Sequence, residues 1–229
     1  YPAHQHIALH NEFSYAYTWP MRIFFYALLP AEEGGETPIA DSRKVYASLR
    51  PELRDQFAEK GILYVRNYGS GVDLTWQDAF QTAEKLAVED YCRLAPLEWE
   101  WLPGDRLRTR QRRPAIAVHP VTRETVWFNQ LISFTSQTSA RKQPRQCVAS
   151  SPRRIFRVTL TLATVLPSPM RTWLRSWCDR CRHGCFPWQA RDILVLDNML
   201  VAHGRNPYRG DRKILAALAQ PYSLPGDDR

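Results

Sequence analysis

The 229-residue chain has no apolar run approaching the roughly 18 residues needed to cross a bilayer, which excludes a membrane-spanning helix. Its opening stretch, Tyr1 to His10, is polar and lacks the apolar centre of a secretory signal. With neither feature, the expected compartment is the cytoplasm. An initiating Met is also missing; the chain starts at Tyr1 and reads as a fragment or a processed product. No internal repeat is visible. The composition, 44% hydrophobic and 24% charged, lacks the bias of a disordered, collagen-like or disulfide-scaffold chain. What the chain has in quantity is turn formers and large aromatics. Its 17 Pro and eight Trp point to many turns and a β-rich, aromatic core.

The net charge of +8 would ordinarily suggest a nucleic-acid partner. Its distribution argues against one. Ten of the 31 bases but one of the 23 acids lie between Leu131 and Cys185, so the remainder holds 21 bases against 22 acids. Four of the five cysteines, Cys147, Cys178, Cys181 and Cys185, fall in the same segment.

Local patterns predict the elements. Met21–Leu29 is a continuous apolar run and reads as a buried strand ended by Pro30, with a turn at Gly34–Gly35. Asp41 or Ser42 caps a short helix. Pro51 suits the first turn of a second helix, with Leu49, Leu53 and Phe57 on one face and Gly61 as its stop. Ile62–Tyr68 reads as a strand, Thr75 as the cap of a short helix, and Glu84–Leu94 as another helix. From Leu97 the period becomes two: Leu97, Trp99 and Trp101 alternate with Glu98 and Glu100. After a turn at Pro103–Gly104–Asp105 the chain returns along Leu107–Gln111. Ala115–His119 and Thr125–Asn129 form a hairpin, and Ile193–Leu196 and Lys213–Ala219 are late strands. Antiparallel strands with helical insertions fit a sandwich, barrel or jelly roll better than a doubly wound sheet.

The main chemical signal is His10-Asn11-Glu12 near the start and His203 near the end. On an extended segment, residues i and i+2 point to one side, so His10 and Glu12 can face one ion. A histidine from a distant strand would complete a two-His, one-carboxylate face with open positions, as non-haem Fe(II) oxygenases use. By itself H-x-E is weak, because a surface His beside an acid reads the same way.

Three longer stretches carry more. They are L-H-N-E-F-S-Y-A-Y-T-W-P, then G-G-E-T-P-I-A-D-S-R at Gly34–Arg43, then D-N-M-L-V-A-H-G-R-N-P-Y-R-G-D-R-K-I-L at Asp197–Leu215. Together they resemble the taurine dioxygenase (TauD/TfdA) family of Fe(II)/2-oxoglutarate-dependent oxygenases, over Tyr1–Gln130 and Phe186–Gln220. The closer likeness is to the SyrP-type hydroxylases of nonribosomal peptide pathways. The resemblance implies a mainly β fold with helical insertions around a double-stranded β-helix, or jelly-roll, core of clavaminate synthase-like type, in one domain across residues 1–229. It implies that His10, Glu12 and His203 ligate Fe(II), and that Thr37 and Arg212 contact 2-oxoglutarate. Arg212 would grip the distal carboxylate through a bidentate fork, which Lys does poorly; Lys213 is the candidate if the register is off by one. Arg205 is placed beside His203 or the cosubstrate. The implied reaction uses O₂ and 2-oxoglutarate to oxidise a C–H bond. Glu12 favours hydroxylation, since halogenating members carry a small residue in its place. By analogy the substrate is an amino acid or a related small molecule, free or tethered to a carrier protein. The rival reading is an inactive remnant of the fold that serves as a binding protein, contacting nucleic acid through its basic segment.

That basic segment departs from the family. Cys178-x-x-Cys181-x-His183-x-Cys185 has tolerable zinc spacing, but no second ligand pair lies at finger-like spacing and arginine crowds it. A shifted reading frame accounts for more. Read one base out of register, Arg154–Pro169 permits N-I-P-R-N-T-Y-F-G-D-G-S-P-I-P. Leu131–Gln137 permits A-H-L-F-H-V-S, directly after Phe128-Asn129-Gln130. Both strings resemble the family, whose frame resumes at Phe186-Pro187-Trp188-Gln189. We therefore expect one base lost near Gln130 and one gained near Cys185.

Overall fold

The computed structural model describes residues 1–69, 74–131, 157–159 and 182–223. Of the segment read as out of frame, Leu131, Arg157–Thr159 and the residues from Arg182 onward are described. Cys147, Cys178 and Cys181, and with them most of the zinc-like spacing, lie outside the described residues.

Capping and turn chemistry set the first half of the chain. Asp41 accepts from the Arg43 and Lys44 amides and starts α1 (Ser42–Ala47). Pro51 opens α2 (Pro51–Lys60), which buries Leu53 and Phe57 and ends at Gly61. Thr75 caps α3 (Trp76–Phe80), and α4 (Lys85–Leu94) turns Val88 and Cys92 inward. These helices stand where the sequence predicts them.

Three sheets carry the rest. The first, in the order β1–β13–β4–β11, joins Ile7–His10, Val201–Arg205, Thr37–Asp41 and Arg182–Phe186. The second, β12–β2–β15, joins Ile193–Asp197, Trp19–Leu29 and Lys213–Tyr222. The third, β10–β5–β7–β6, joins Arg157–Thr159, Ile62–Tyr68, Arg106–Arg113 and Glu98–Leu102. Two short pairs complete the set: β8 (Ile116–Val118) with β9 (Thr125–Trp127), the predicted hairpin, and β3 (Glu33–Gly34) with β14 (Tyr208–Arg209). Among the described residues every pairing is antiparallel. Phe25 of β2 packs edge-on against His203 of β13, so the first two sheets face one another as the layers of a jelly roll.

One prediction needs correcting. β2 is half-buried rather than buried. Ile23 and Ala27 point into the core, while Phe24 and Leu28 on the opposite face are exposed. The physical reason is that a central strand is buried only where both sheet faces are covered, and no described element covers the outer face.

Among the described residues, no helix is long and apolar enough to cross a membrane.

Candidate metal centre

His10 ends β1 and lies directly opposite His203 of β13. The pairing register shifts between Ile7 and His10, an irregularity that, like a bulge, re-aims a side chain. Gly204, next to His203, lets the strands approach: a Cβ there would come within 2.5 Å of the Ile7 carbonyl oxygen. The two imidazole rings therefore meet, with centroids 4.5 Å apart. Glu12 joins them. Its carboxylate lies 3.6 Å from His10 Nε2 and 4.0 Å from His203 Nε2. These gaps are too wide for hydrogen bonds and narrow enough for one ion to bridge. All three ligand atoms lie within 4.8 Å of one another.

The ring states suit ligation. His10 Nδ1–H donates to the Ala8 carbonyl at 2.9 Å, which leaves the Nε2 lone pair facing the cluster. His203 is almost buried. Desolvation, with the neighbouring His10 as a second cause, pushes its pKa well below the ordinary value and keeps it neutral. Its Nδ1 is buried with no hydrogen-bond partner among the described residues.

A buried amide holds the Glu12 backbone in place. Asn198, fully buried in the turn before β13, accepts from the Glu12 amide at 2.7 Å. It donates to the Glu12 and Pro20 carbonyls, each at 2.8 Å. Asn11 donates to the Asn198 carbonyl at 2.7 Å, and Gln130 donates to the Asn11 carbonyl at 3.1 Å. Phe13, directly after Glu12, takes φ of 53°, a left-handed conformation that bulky side chains disfavour and that gathers at functional sites. Asp197 caps the turn through the Met199 and Leu200 amides and pairs with Arg22 and His119. Asn198 and Asp197 sit inside the D-N-M stretch quoted above, but nothing local in it announces that Asn198 reaches residue 12.

The residues assigned to the cosubstrate lie on the neighbouring strand and turn. Thr37 on β4 is buried and accepts from Trp188 Nε1 at 3.0 Å. Trp188 packs edge-on against Phe25, which in turn packs against His203, so Thr37 and the histidine share one aromatic wall. Arg212 is half-buried. It donates to the Gly35 carbonyl at 3.2 Å, its guanidinium lies 5.5 Å from the Tyr208 ring, and its Nε is buried without a hydrogen-bond partner. Desolvation lowers its pKa. A half-buried guanidinium with an unused N–H and no carboxylate partner among the described residues fits a carboxylate ligand. Lys213, the alternative by one register step, is exposed.

Arg205 departs from expectation. Its guanidinium donates to the Pro2 and Gln5 carbonyls at 2.7 and 2.9 Å and ties down the N-terminal segment. As the third residue of H-G-R on a strand, it shares a side with His203, but its long stem carries the charge past the ring.

The family description "Taurine catabolism dioxygenase TauD, TfdA family" matches residues 1–218 of this chain. The chain belongs to the TauD/TfdA family. With it the chain belongs to the 2-oxoglutarate-dependent dioxygenases. Among curated TauD/TfdA-like proteins, it is 40% identical over 227 residues to the dapdiamide synthesis protein DdaC of Enterobacter agglomerans, with 96% of this chain and 68% of DdaC covered. It is 30% identical over 231 residues to a clavaminate synthase-like protein of Arabidopsis thaliana, with 96% of this chain and 66% of that protein covered. The chain thus spans about two thirds of the length of the curated relatives it matches. A solved structure from Burkholderia xenovorans, described as an alpha-ketoglutarate dependent 2,4-D dioxygenase, aligns with TM-score 0.50 at 18% identity. It covers 93% of this chain and 67% of that one, and supports the TauD/TfdA fold.

Proposed function

We propose that this chain hydroxylates an amino acid or a related small molecule, free or carried on a partner protein. In this reading His10, Glu12 and His203 hold Fe(II), Thr37 contacts 2-oxoglutarate, and Arg212 holds its distal carboxylate. The support is one observation: two imidazoles and a carboxylate from opposite ends of the chain converge within 4.8 Å. Their donor set, two imidazole nitrogens and a carboxylate on one face, suits Fe(II) with positions left open.

Iron, once bound with 2-oxoglutarate and O₂, supplies the oxidising chemistry: cosubstrate, O₂ and substrate C–H become succinate, CO₂ and C–OH. The chain supplies the geometry. The His10–Ala8 hydrogen bond selects the tautomer that presents Nε2. Asn198 holds the Glu12 backbone so that its carboxylate stays on the imidazole side. Arg212 orients the cosubstrate by its far end and Thr37 contacts it, while Phe25 packs beside His203 with Trp188 against it. Glu12 fills the place that a halide would need, which favours hydroxylation over halogenation.

Anaerobic addition of Fe(II) and 2-oxoglutarate tests the reading. A visible charge-transfer band is expected from the native chain and not from His203→Ala or Glu12→Ala. An Arg212→Gln variant should need at least about 10-fold more 2-oxoglutarate to develop it, the loss of a charge-assisted pair. No band from the native protein would end the proposal.

A further inference from the structure

The hairpin of β8 and β9 carries a buried histidine that the chemistry above does not use. His119 follows β8 directly and is 2% exposed. Its own loop clasps it. The His119 amide donates to the Glu124 carbonyl, and the His119 carbonyl accepts from the Arg123 amide, each at 2.9 Å. The ring is held as well. Its Nδ1 accepts from the Val121 and Thr122 amides at 3.3 and 3.0 Å. A ring nitrogen that accepts carries no proton, so these bonds put the N–H on Nε2. That N–H has one partner among the described residues, Asp197 Oδ2 at 3.2 Å.

Asp197 passes this contact on. It ends β12 opposite Arg22 of β2. Its Oδ2 accepts from His119 and Arg22, and its Oδ1 accepts from the Met199 and Leu200 amides, each at 3.1 Å. The two Oδ2 donors pull from opposite sides, since the Arg22 side chain is 38% exposed and that of His119 is 2% exposed. Without His119 the carboxylate keeps only the solvent-side donor on Oδ2. It can then swing outward and loosen both amide contacts of the turn. Asn198 lies inside that turn and bonds the Glu12 backbone twice. Packing joins the same two parts. Met199 is fully buried in one cluster with Ala117 and Val126 of the hairpin and with Phe128 just after it.

We propose that His119 is a positioning residue for the metal face: by gripping Asp197 from the buried side, it sets the turn whose Asn198 holds Glu12 beside His10 and His203. The inference rests on the reading of those three residues as metal ligands. His119 acts through Asp197 and Asn198 and not by touching the ion. Its loop fixes the ring before Asp197 meets it, so the donor arrives with its direction already set.

The test titrates the full chain anaerobically with Co(II), under conditions where urea melts show each variant to be folded. His119→Asn keeps an acceptor for the loop amides but is too short to reach Asp197, and it should weaken Co(II) binding about 10-fold. His119→Gln extends an N–H donor to the reach of Nε2 and should recover most of that loss. Asp197→Asn breaks the same bond from the other side while its amide oxygen still accepts from Met199 and Leu200, and it should match His119→Asn. In a chain that already carries Asn198→Ala, His119→Asn should weaken binding no further, because the path to Glu12 is already cut. If His119→Asn does not fold, Asp197→Asn takes its place, alone and with Asn198→Ala. Native-like binding by a folded His119→Asn or Asp197→Asn chain, no recovery in His119→Gln, or losses that add in full to that of Asn198→Ala would each overturn the proposal. A native chain that binds no Co(II) would instead remove the metal reading of His10, Glu12 and His203, and the role of His119 with it.

Discussion

Replacing Asn198 by Ala separates holding Glu12, the proposed metal ligand, from holding the fold. The side chain makes three buried hydrogen bonds, from the Glu12 amide and to the Glu12 and Pro20 carbonyls, at 2.7, 2.8 and 2.8 Å. Each contributes about 1 kcal/mol net, so truncation should cost about 3 kcal/mol. A domain with about 5–15 kcal/mol of stability survives that loss. The metal site should suffer in addition, because partners that orient a ligand typically contribute 10- to 100-fold in metal affinity. That range corresponds to about 1.4–2.7 kcal/mol. Urea unfolding gives the first quantity, and anaerobic titration with Co(II) as a spectroscopic stand-in for iron gives the second. Leu107→Ala provides the control. Leu107 is fully buried in a separate cluster with Tyr68, Trp76, Val88 and Cys92, and its truncation should cost a similar 2–5 kcal/mol, about the range for buried leucines. The reasoning fails if Asn198→Ala binds Co(II) like the native chain below its unfolding transition, or if Leu107→Ala weakens binding equally.

Other consequences are open to measurement. Gly35 has φ of 74°, and a Cβ there would come within 3.1 Å of Arg212 Nε, so Gly35→Ala should displace the guanidinium and raise the 2-oxoglutarate concentration needed for the charge-transfer band. Burial alone would raise the Asp41 pKa, but its hydrogen bonds to Arg43 and to the first-turn amides outweigh this and lower it. Its stabilisation of α1 is therefore complete above the ordinary carboxylate pKa and fades as pH falls through the lowered value. Asp41→Ala should lose about 1 kcal/mol at neutral pH and progressively less in strong acid, read by urea melts across pH. Burial pushes the Cys92 thiol up to about 11, whereas Cys185 is exposed. Alkylation at pH 8 should therefore modify Cys185 and spare Cys92 until the chain is unfolded, as peptide mass mapping would reveal. The proposed frame error calls for two compensating single-base changes in the gene, one lost near the codon for Gln130 and one gained near that for Cys185; an uninterrupted frame with no single-base insertion or deletion at those two places would refute it.

Local chemistry decided much of this protein in the sequence itself. Asp41, Thr75, Pro51 and Gly61 bound helices because capping and φ restriction act within a few residues. The alternation in Leu97–Trp101 and the turn at Pro103–Asp105 place a hairpin for the same reason. The candidate ligands were legible too, since H-N-E on an extended segment can present its first and third side chains to one side. Tertiary structure alone decided what lies between distant residues. Pairing of β1 with β13 sets His10 opposite His203, and the register shift beside His10 tunes their approach. Asn198 reaches back to Glu12, and Arg205, adjacent in sequence to the metal face, spends its charge on the N-terminal carbonyls. A backbone preference is a property of a few neighbouring residues, whereas convergence depends on sheet register, which forms only when strands nearly two hundred residues apart bury their faces together.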